Sequence, residues 1–253
     1  MTWIPDLISI ITPAFKAGRF VDDAVRSVFE QDYAHWEMLI ADDYSPDDTC
    51  DYIEKWAARD ARVKLIRQQQ NGGPYAARNA ALAQSRGRYV TFLDIDDYWL
   101  PGKLSRQLQF MRTTNVALSF TEFRRISEDG SRIGRRVGVP SKLTYSQLLG
   151  NTAIATSTVM IDRDLTGAFS MRKAYYDDFV LWLELLKKGN LASGLKQDLM
   201  RYRVVGKSVS RSKGKSARQV WKIYRDIEGL AVPHAAWCFL NYGVRGWMKY
   251  ARF

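Results

Sequence analysis

Residues 89–104 read YVTFLDIDDYWLPGKL, and this stretch indicates the class of fold. The apolar run at residues 89–93 has the length and residue types of a buried β-strand. Asp94, Asp96 and Asp97 follow it at once, and Pro101 is typical of the first turn of a helix. A strand that ends in carboxylates and leads into a helix is typical of α/β proteins, whose ligands bind at the carboxyl ends of the strands.

The same strand-then-helix unit occurs three times before residue 89. The hydrophobic pattern predicts strands over residues 7–12, 36–41 and 62–66. It predicts helices from about residue 20, from near Pro46 with Ser45 as the capping residue, and over residues 74–85. Four such units in succession predict an α/β fold with a mostly parallel central sheet flanked by helices.

The pattern becomes less regular after residue 115. We expect strands over residues 116–123 and 158–161, a turn over 128–131, and a helix over 177–188 that ends before Gly189. Aromatic and basic residues alternate from Ala217 onward. The predicted organisation is a main domain over residues 1–212, with parts at about 1–115 and 116–212, and a C-terminal basic, aromatic helical extension over 213–253.

Composition excludes several classes of protein. Of the 253 residues, 46% are hydrophobic and 13% aromatic, which is the composition of a folded chain and not of a disordered one. The two cysteines, Cys50 and Cys238, are too few for a disulfide scaffold or a cysteine-based zinc site. Residues 1–13 lack the basic start of a secretory signal, and no run of 18 apolar residues occurs, so we expect a cytoplasmic protein that does not span a membrane.

The net charge of +11 is concentrated near the C-terminus. Residues 201–253 contain twelve Lys and Arg but only two acidic residues, whereas residues 1–200 are nearly neutral. This distribution disfavours a nucleic-acid partner, because a nucleic-acid enzyme more often carries positive charge along its main cleft. Two alternatives remain open: the segment binds an anionic membrane surface through its cations and rings, or it packs on the main domain with a solvated basic face.

Acidic residues follow two predicted strands that end at the same edge of the sheet. Asp42 and Asp43 come after residues 36–41, and Asp94 and Asp96 come after residues 89–93. Carboxylates gathered in one crevice repel one another unless a cation compensates, which favours Mg²⁺ or Mn²⁺ together with substrate phosphates. The alternative is that Asp42 and Asp43 serve only as turn or capping residues.

Five blocks carry a resemblance to a known family. The blocks are ISIITPAF at residues 8–15, ADDYSPDDT at 41–49, NGGPYAARN at 71–79, FLDIDDYWLPGKL at 92–104 and YDDFVLWLELLKKG at 176–189. In this order and spacing they resemble the family 2 glycosyltransferases, in particular bacterial enzymes of O-antigen, capsule or exopolysaccharide synthesis. The resemblance covers about residues 6–212. It implies a GT-A fold, a nucleotide-diphosphate sugar donor, a divalent metal and inversion at the anomeric carbon.

The resemblance also implies roles for individual residues. Asp178 is the expected catalytic base, and Asp96 is the expected ligand of Mn²⁺ or Mg²⁺. The expected nucleotide-binding residues are Pro13, Ala14, Phe15, Asp42, Asp43, Asn71, Gly72, Arg78 and Asp94. Three further residues are expected to line the acceptor or to support the residues that bind the nucleotide and the metal: Asp97, Asp177 and Trp182. The plain alternatives are a helix-dipole role for Asp177 and Asp178 and a solvated charge for Arg78.

The function expected from these residues is transfer of one sugar, from a UDP-sugar, to a saccharide acceptor that is lipid-linked at the cytoplasmic face of the inner membrane. In the family that this chain resembles, Tyr-Arg is often followed by a histidine that can bind the metal. No such histidine follows Tyr202-Arg203, so a third protein ligand for the metal is not expected. The absence of a Q-x-x-R-W motif disfavours a processive synthase. A nucleotidyltransferase of similar fold and a non-catalytic binding module remain as alternatives, whereas a dinucleotide oxidoreductase lacks its G-x-G-x-x-G signature.

Overall fold

Buried aliphatic runs form the strands of the first half, and amphipathic segments between them form its helices. The computed structural model describes residues 2–151, 153–206 and 213–250. The elements of the first half are β1 (Ile4–Ala14), α1 (Gly18–Phe29), β2 (Trp36–Asp42), α2 (Thr49–Ala57), β3 (Val63–Arg67), α3 (Pro74–Gln84) and β4 (Gly87–Phe92).

The second half mixes short strands with helices. Its elements are β5 (Tyr98–Trp99), α4 (Lys103–Thr114), β6 (Leu118–Ser127), β7 (Ile133–Val137), β8 (Lys142–Leu143), α5 (Tyr145–Leu149), β9 (Met160–Asp162), α6 (Arg163–Thr166), α7 (Asp177–Lys187), β10 (Ala192–Val204), α8 (Lys213–Lys222) and α9 (Val232–Tyr250). A 3₁₀ turn at Thr156–Thr158 precedes β9, and a π-helical turn at Ile223–Ile227 follows α8.

The described strands join in one sheet. Its order is β3-β2-β1-β4-β9-β6-β10-β5, with β7 beside β6 and β8 beside β10. The first four strands of this order are parallel to one another, and β6 is parallel to β10. Strand β9 lies antiparallel between β4 and β6, so it joins the two parallel groups. The predicted α/β architecture is confirmed, with an antiparallel strand at its centre.

Two expected helix starts are wrong by three and by two residues. The second helix begins at Thr49 and not near Pro46, because the carboxylate of Asp42 accepts a hydrogen bond from Ser45 N and holds that residue in the preceding turn. The fourth helix begins at Lys103 after Gly102, whose φ of 82° is left-handed and therefore not helical.

Several elements of the second half were not predicted. The largest is β10, a strand of 13 residues whose pairing with β6 shifts register on both sides of Asp198. The strand expected over residues 158–161 is a 3₁₀ turn followed by a strand that begins at Met160. Strands β5, β7 and β8 and helices α5 and α6 are short, and their sequences carry no clear periodicity.

The core lies on both faces of the sheet. Ile8 and Ile10 of β1 pack with residues of α1, α2 and α4, whereas Ile11 packs with residues of α3, α5 and α7. Side chains alternate between the two faces of a strand, so a single apolar run supplies both layers. The layers hold the carboxyl ends of β1, β2 and β4 in fixed positions, and the acidic residues follow these ends.

The C-terminal segment completes one of the two core layers. Tyr224 is fully buried, its hydroxyl donates to the carbonyl of Leu149, and its ring packs edge-on against Phe179 of α7. Ala235 and Cys238 of α9 are also buried in this layer. The alternative in which the segment packs on the main domain therefore holds for residues 220–238.

The opposite face of α9 is apolar and exposed. Trp237, Leu240 and Val244 are 68%, 63% and 57% exposed. Their spacing places them on one side of the helix, away from Ala235 and Cys238. We call these three residues the α9 stripe. In the part of the chain that the structure describes, no helix has the length and hydropathy needed to cross a membrane.

The packing of the C-terminal segment predicts its contribution to stability. Tyr224→Ala should lower the free energy of unfolding by about 3–5 kcal/mol, because it removes a fully buried ring and leaves a cavity. Trp237→Ala, in the same segment but on the exposed stripe, should change it by less than about 0.5 kcal/mol. Urea unfolding of both variants measures these values, and equal losses would show that the segment does not pack as described.

Candidate active site

The predicted acidic residues meet at one edge of the sheet. Ala14 of β1 lies beside Asp42 of β2 in the parallel ladder, and Asp94 comes two residues after β4, the other neighbour of β1. Parallel strands end at the same edge, which brings these side chains together. Carboxylates therefore border this edge of the sheet, which is the position where α/β sheets bind ligands and which we call the crevice.

Asp43 holds the loop before α3. Its two carboxylate oxygens accept from the backbone nitrogens of Gly72 and Gly73, both at 2.8 Å, and its carbonyl accepts from the side chain of Asn71 at 3.1 Å. A side chain at Gly72 would place its Cβ 2.7 Å from the Cβ of Ala76, so this approach requires glycine. Each carboxylate oxygen retains a lone pair for a further donor.

Residues 13–15 form the rim of the crevice on the β1 side. Ala14 is buried, Pro13 is half-buried and Phe15 is 44% exposed, with the ammonium of Lys16 5.2 Å from the centre of its ring. Asp42 is buried behind this rim and turns the chain through its bond to Ser45. An exposed aromatic ring beside a buried carboxylate can stack a planar ligand and pair with its polar edge.

Arg78 joins three segments of the chain. Its guanidinium donates to Asp94 at 2.6 Å and to Asp177 at 2.8 Å, and its side chain is 7% exposed. It is therefore not the solvated charge of the plain alternative. Burial opposes the charge, but the carboxylates of Asp94, Asp177 and Asp178 raise the pKa of Arg78 above its usual value. The arginine remains charged and fixes helix α7 against the end of β4.

Asp94 and Asp96 are the half-buried members of the D-x-D sequence. Burial, and then the charge of Asp94, raise the pKa of the Asp96 carboxyl to about 6. Burial and the neighbouring carboxylate thus outweigh the opposing charges of Arg203 and Arg78 at this position. The described residues contain no group of three or more metal-ligating side chains. The donors present suit Mg²⁺ or Mn²⁺, which bind one or two carboxylates and take their other ligands from water and phosphate.

Asp97 points away from the crevice into the protein. It is buried, and its carboxylate accepts from the Ser157 hydroxyl at 2.6 Å and from the backbone nitrogen of Arg203 at 2.9 Å. Burial raises its pKa well above the usual range, as do the nearby charges of Asp96 and Asp94. Asp97 thus supports the loop that carries the other two carboxylates.

Asp178 lies in the first turn of α7, half-buried beside the crevice. One carboxylate oxygen accepts from the Thr156 hydroxyl at 2.6 Å, and the other accepts from the backbone nitrogen of Phe179 at 2.7 Å. The neighbouring Asp177 is buried against Arg78, and its pKa is raised by burial. Trp182 is 1% exposed and packs edge-on against Phe92, so it supports β4 from within the core.

Sequence reasoning missed Arg203, which holds the D-x-D loop in place. Its Nε donates to the carbonyl of Asp96 at 2.9 Å, and its two terminal nitrogens donate to the carbonyl of Glu128 and to Asp23. Arg203 follows Tyr202 in β10, a strand that was not predicted. A buried-strand pattern around this arginine would have been the signal, but the polar residues at 196–198 conceal it.

Comparison with known proteins gives the family of this chain and two of its relatives. Residues 9–178 match the sequence model of the family described as glycosyl transferase family 2. TuaG of Bacillus subtilis (strain 168), named for teichuronic acid biosynthesis, is 42% identical over 241 residues that cover 95% of each chain. WfgD of Escherichia coli is 34% identical over 246 residues, which cover 97% of this chain and 95% of WfgD. Its name describes a UDP-Glc:alpha-D-GlcNAc-diphosphoundecaprenol beta-1,3-glucosyltransferase.

Two solved structures share the fold. TarS 1-349 of S. aureus in complex with UDP-GlcNAc has a TM-score of 0.74 at 18% identity, over 95% of this chain and 72% of that one. A mannosyltransferase of Pyrobaculum calidifontis in complex with GDP-Man and Mn²⁺ has a TM-score of 0.69 at 16% identity, over 94% and 73%. The expected GT-A fold is confirmed.

The Arg78 network predicts a large loss of stability when the cation is removed. Arg78→Met should lower the free energy of unfolding by about 3–5 kcal/mol, because it leaves Asp177 buried without a partner. Adding Asp177→Asn should restore part of the loss. Arg67→Met, which breaks an exposed pair with Glu54, serves as the control and should leave the urea midpoint almost unchanged. A small effect of Arg78→Met would refute the role of the network.

Proposed function

This chain belongs to glycosyl transferase family 2, and on that premise we propose that it transfers one sugar from a UDP-sugar to a hydroxyl of a lipid-linked saccharide, with inversion. It is a glycosyltransferase, related to enzymes that use nucleotide sugars in the synthesis of bacterial surface polysaccharides. The observation that supports the finer proposal is the pair of ion pairs by which Arg78 holds Asp94 and Asp177, the close neighbours in sequence of Asp96 and Asp178.

The nucleoside would bind at the β1 and β2 side of the crevice. The exposed ring of Phe15 offers a stacking surface, and Asp43 has lone pairs for the imide N–H of uracil. Asp94, held by Arg78 through one oxygen, has its other oxygen for a ribose hydroxyl. Asn71 and Gly72 keep the backbone of the α3 loop close to this pocket.

The diphosphate would lie beside Asp96. A divalent cation held by this carboxylate would neutralise the charge that develops on the leaving diphosphate. The position of Asp96 supports this placement, because it is half-buried two residues from Asp94 and a cation would relieve the repulsion between the two carboxylates.

Asp178 would act as the general base. An acceptor hydroxyl is a poor nucleophile, and a carboxylate within hydrogen-bond reach accelerates its attack by about 10²–10⁴. The proton passes to Asp178 as the new glycosidic bond forms and the bond to the diphosphate breaks. Glucose is α-linked in UDP-Glc, so the β-1,3 product in the name of WfgD requires inversion and supports direct displacement here.

The acceptor would be presented at a membrane surface. WfgD is named for an acceptor on diphosphoundecaprenol, which is a lipid. The α9 stripe exposes rings and aliphatic groups, and residues 213–253 contain eight Lys and Arg against two acidic residues. Apolar groups flanked by cations suit the boundary of an anionic bilayer, so we place the enzyme peripherally on the cytoplasmic face of the membrane.

Replacing the base tests the catalytic assignment. Asp178→Asn should lower kcat for sugar transfer by at least about 10²-fold, because the amide cannot accept the proton. Calorimetric binding of UDP should stay within about twofold of wild type, since the amide is nearly isosteric. Transfer at the wild-type rate by this variant would exclude Asp178 as the base.

Replacing Asp96 tests the metal assignment. Asp96→Ala should weaken UDP binding in the presence of Mn²⁺ by about tenfold or more, while binding without metal stays unchanged. Asp51→Ala, an exposed carboxylate of α2, is the control and should behave as wild type. Equal enhancement of UDP affinity by Mn²⁺ in both variants would remove Asp96 from the site.

The α9 stripe is tested with vesicles. The triple variant Trp237→Gln, Leu240→Gln and Val244→Gln should sediment less with phosphatidylglycerol vesicles, and not at all at high salt, because only the screened attraction of the cations remains. It should still bind UDP, since all three side chains are exposed. Wild-type binding should weaken with salt without vanishing, because ring burial is not screened. Unchanged sedimentation of the triple variant would contradict this surface.

A further inference from the structure

The 3₁₀ turn at Thr156–Thr158 lies between the two sides of the candidate active site. The hydroxyl of Thr156 donates to Asp178 at 2.6 Å. The hydroxyl of Ser157 donates to Asp97 at 2.6 Å and accepts from the backbone nitrogen of Asp94 at 3.0 Å. Two adjacent hydroxyls therefore contact the base on one side and the D-x-D loop on the other.

The carbonyl side of the same stretch is anchored in the core. Three successive carbonyls each accept a hydrogen bond from a buried side chain, and one of these donors is itself held by the buried amino group of Lys103. The bonds are Trp99 Nε1 to Ser157 O at 2.8 Å, Gln107 Nε2 to Thr158 O at 2.9 Å, Thr91 Oγ1 to Val159 O at 2.6 Å, and Lys103 Nζ to Thr91 Oγ1 at 2.6 Å.

Such anchoring fixes where the hydroxyls point. A turn whose carbonyls are bound to the core cannot shift its backbone without breaking buried hydrogen bonds, which is costly, so the positions from which the hydroxyls project are fixed. The carboxylate of Asp178 is held at both oxygens, by Thr156 and by the backbone nitrogen of Phe179. Of these two donors, Thr156 is the one outside α7. It therefore sets the position of the Asp178 carboxylate relative to the sheet.

We propose that Thr156 is a positioning residue for the base: its hydroxyl aims the Asp178 carboxylate at the acceptor hydroxyl. The proposal rests on the role of Asp178 in the proposed function. A base must lie within hydrogen-bond reach of the proton that it accepts, and small displacements of a reacting group are costly in rate. Among the described residues, the Thr156 hydroxyl donates to Asp178 and to none of the expected nucleotide-binding residues, so we expect its removal to affect the transfer step and not donor binding.

The test compares two variants at one position in the full-length protein, with a third in reserve. Thr156→Val keeps the shape of the side chain but removes the hydroxyl, whereas Thr156→Ser keeps the hydroxyl and removes the methyl group. We expect kcat of Thr156→Val to fall about tenfold or more, with the KM of the UDP-sugar within about twofold of wild type. Thr156→Ser should restore kcat to within about twofold of wild type. If the valine variant does not fold, Thr156→Ala takes its place beside Thr156→Ser, since these two differ only in the hydroxyl.

A matched control removes a buried threonine hydroxyl elsewhere in the sheet. Thr121 of β6 is fully buried, and its hydroxyl has no hydrogen-bond partner among the residues that the structure describes. Thr121→Val should therefore leave kcat unchanged. A loss in Thr121→Val equal to that in Thr156→Val would overturn the positioning role, because the effect would then be a general one of hydroxyl removal.

The remaining outcomes separate this proposal from the proposed function. Wild-type kcat in Thr156→Val, or an equal loss in Thr156→Ser and Thr156→Val, overturns the positioning role while Asp178→Asn still abolishes transfer. A raised KM for the UDP-sugar with unchanged kcat also overturns it, because the hydroxyl would then serve donor binding. No transfer by wild type, or full transfer by Asp178→Asn, overturns the proposed function itself.

Discussion

The site depends on one buried cation that holds carboxylates from two distant parts of the chain. Arg78 on α3 binds Asp94 after β4 and Asp177 at the start of α7. Without that charge the two carboxylates would repel each other, and α7 would not sit with Asp178 beside the crevice. Asp96 and Asp178 lie near this network without a direct bond to Arg78. The edge of the sheet therefore retains negative charge where a cation and a diphosphate would bind together.

The first half of the fold was predictable because its signals are local. Each strand there is a continuous apolar run, and each helix shows its own periodicity, so the order of elements follows from neighbouring residues. Strand β10 gives no such signal. Its middle, around residues 196–198, is polar, and the strand is fixed by pairing with β6 about 75 residues earlier in the chain. The helices that begin at Thr49 and Lys103 start later than predicted for a similar reason. The conformation of the preceding turns, set by side-chain and backbone bonds, outweighed the capping preference.

The candidate site also divides into residues that the sequence predicts and contacts that it does not. The resemblance named the residues that line the crevice, and the structure brings Asp43, Asp94, Asp96 and Asp178 to it. It did not indicate that Arg78 serves carboxylates, because Asp94 and Asp177 are 16 and 99 residues away from it in the sequence. Residues that hold the site residues in place, such as Ser157, were harder still to predict from the sequence. A hydroxyl in a strand-like sequence has no distinguishing pattern until its partner's position is known.

The C-terminal segment links the surface of the protein to Asp178, the base of the proposed function. Its inner face supplies Tyr224 and Tyr242, whose rings lie 6.5 and 5.8 Å from the ring of Phe179. Phe179 is the residue after Asp178, and its backbone nitrogen is one of the two donors to the Asp178 carboxylate. The outer face of α9 carries the exposed stripe. The helix that would meet a lipid surface therefore also packs, through one aromatic cluster, against the turn of α7 that holds the base. The packed and the membrane-binding alternatives for this segment thus describe opposite faces of one helix, and a rigid core contact fixes the direction in which the exposed face points.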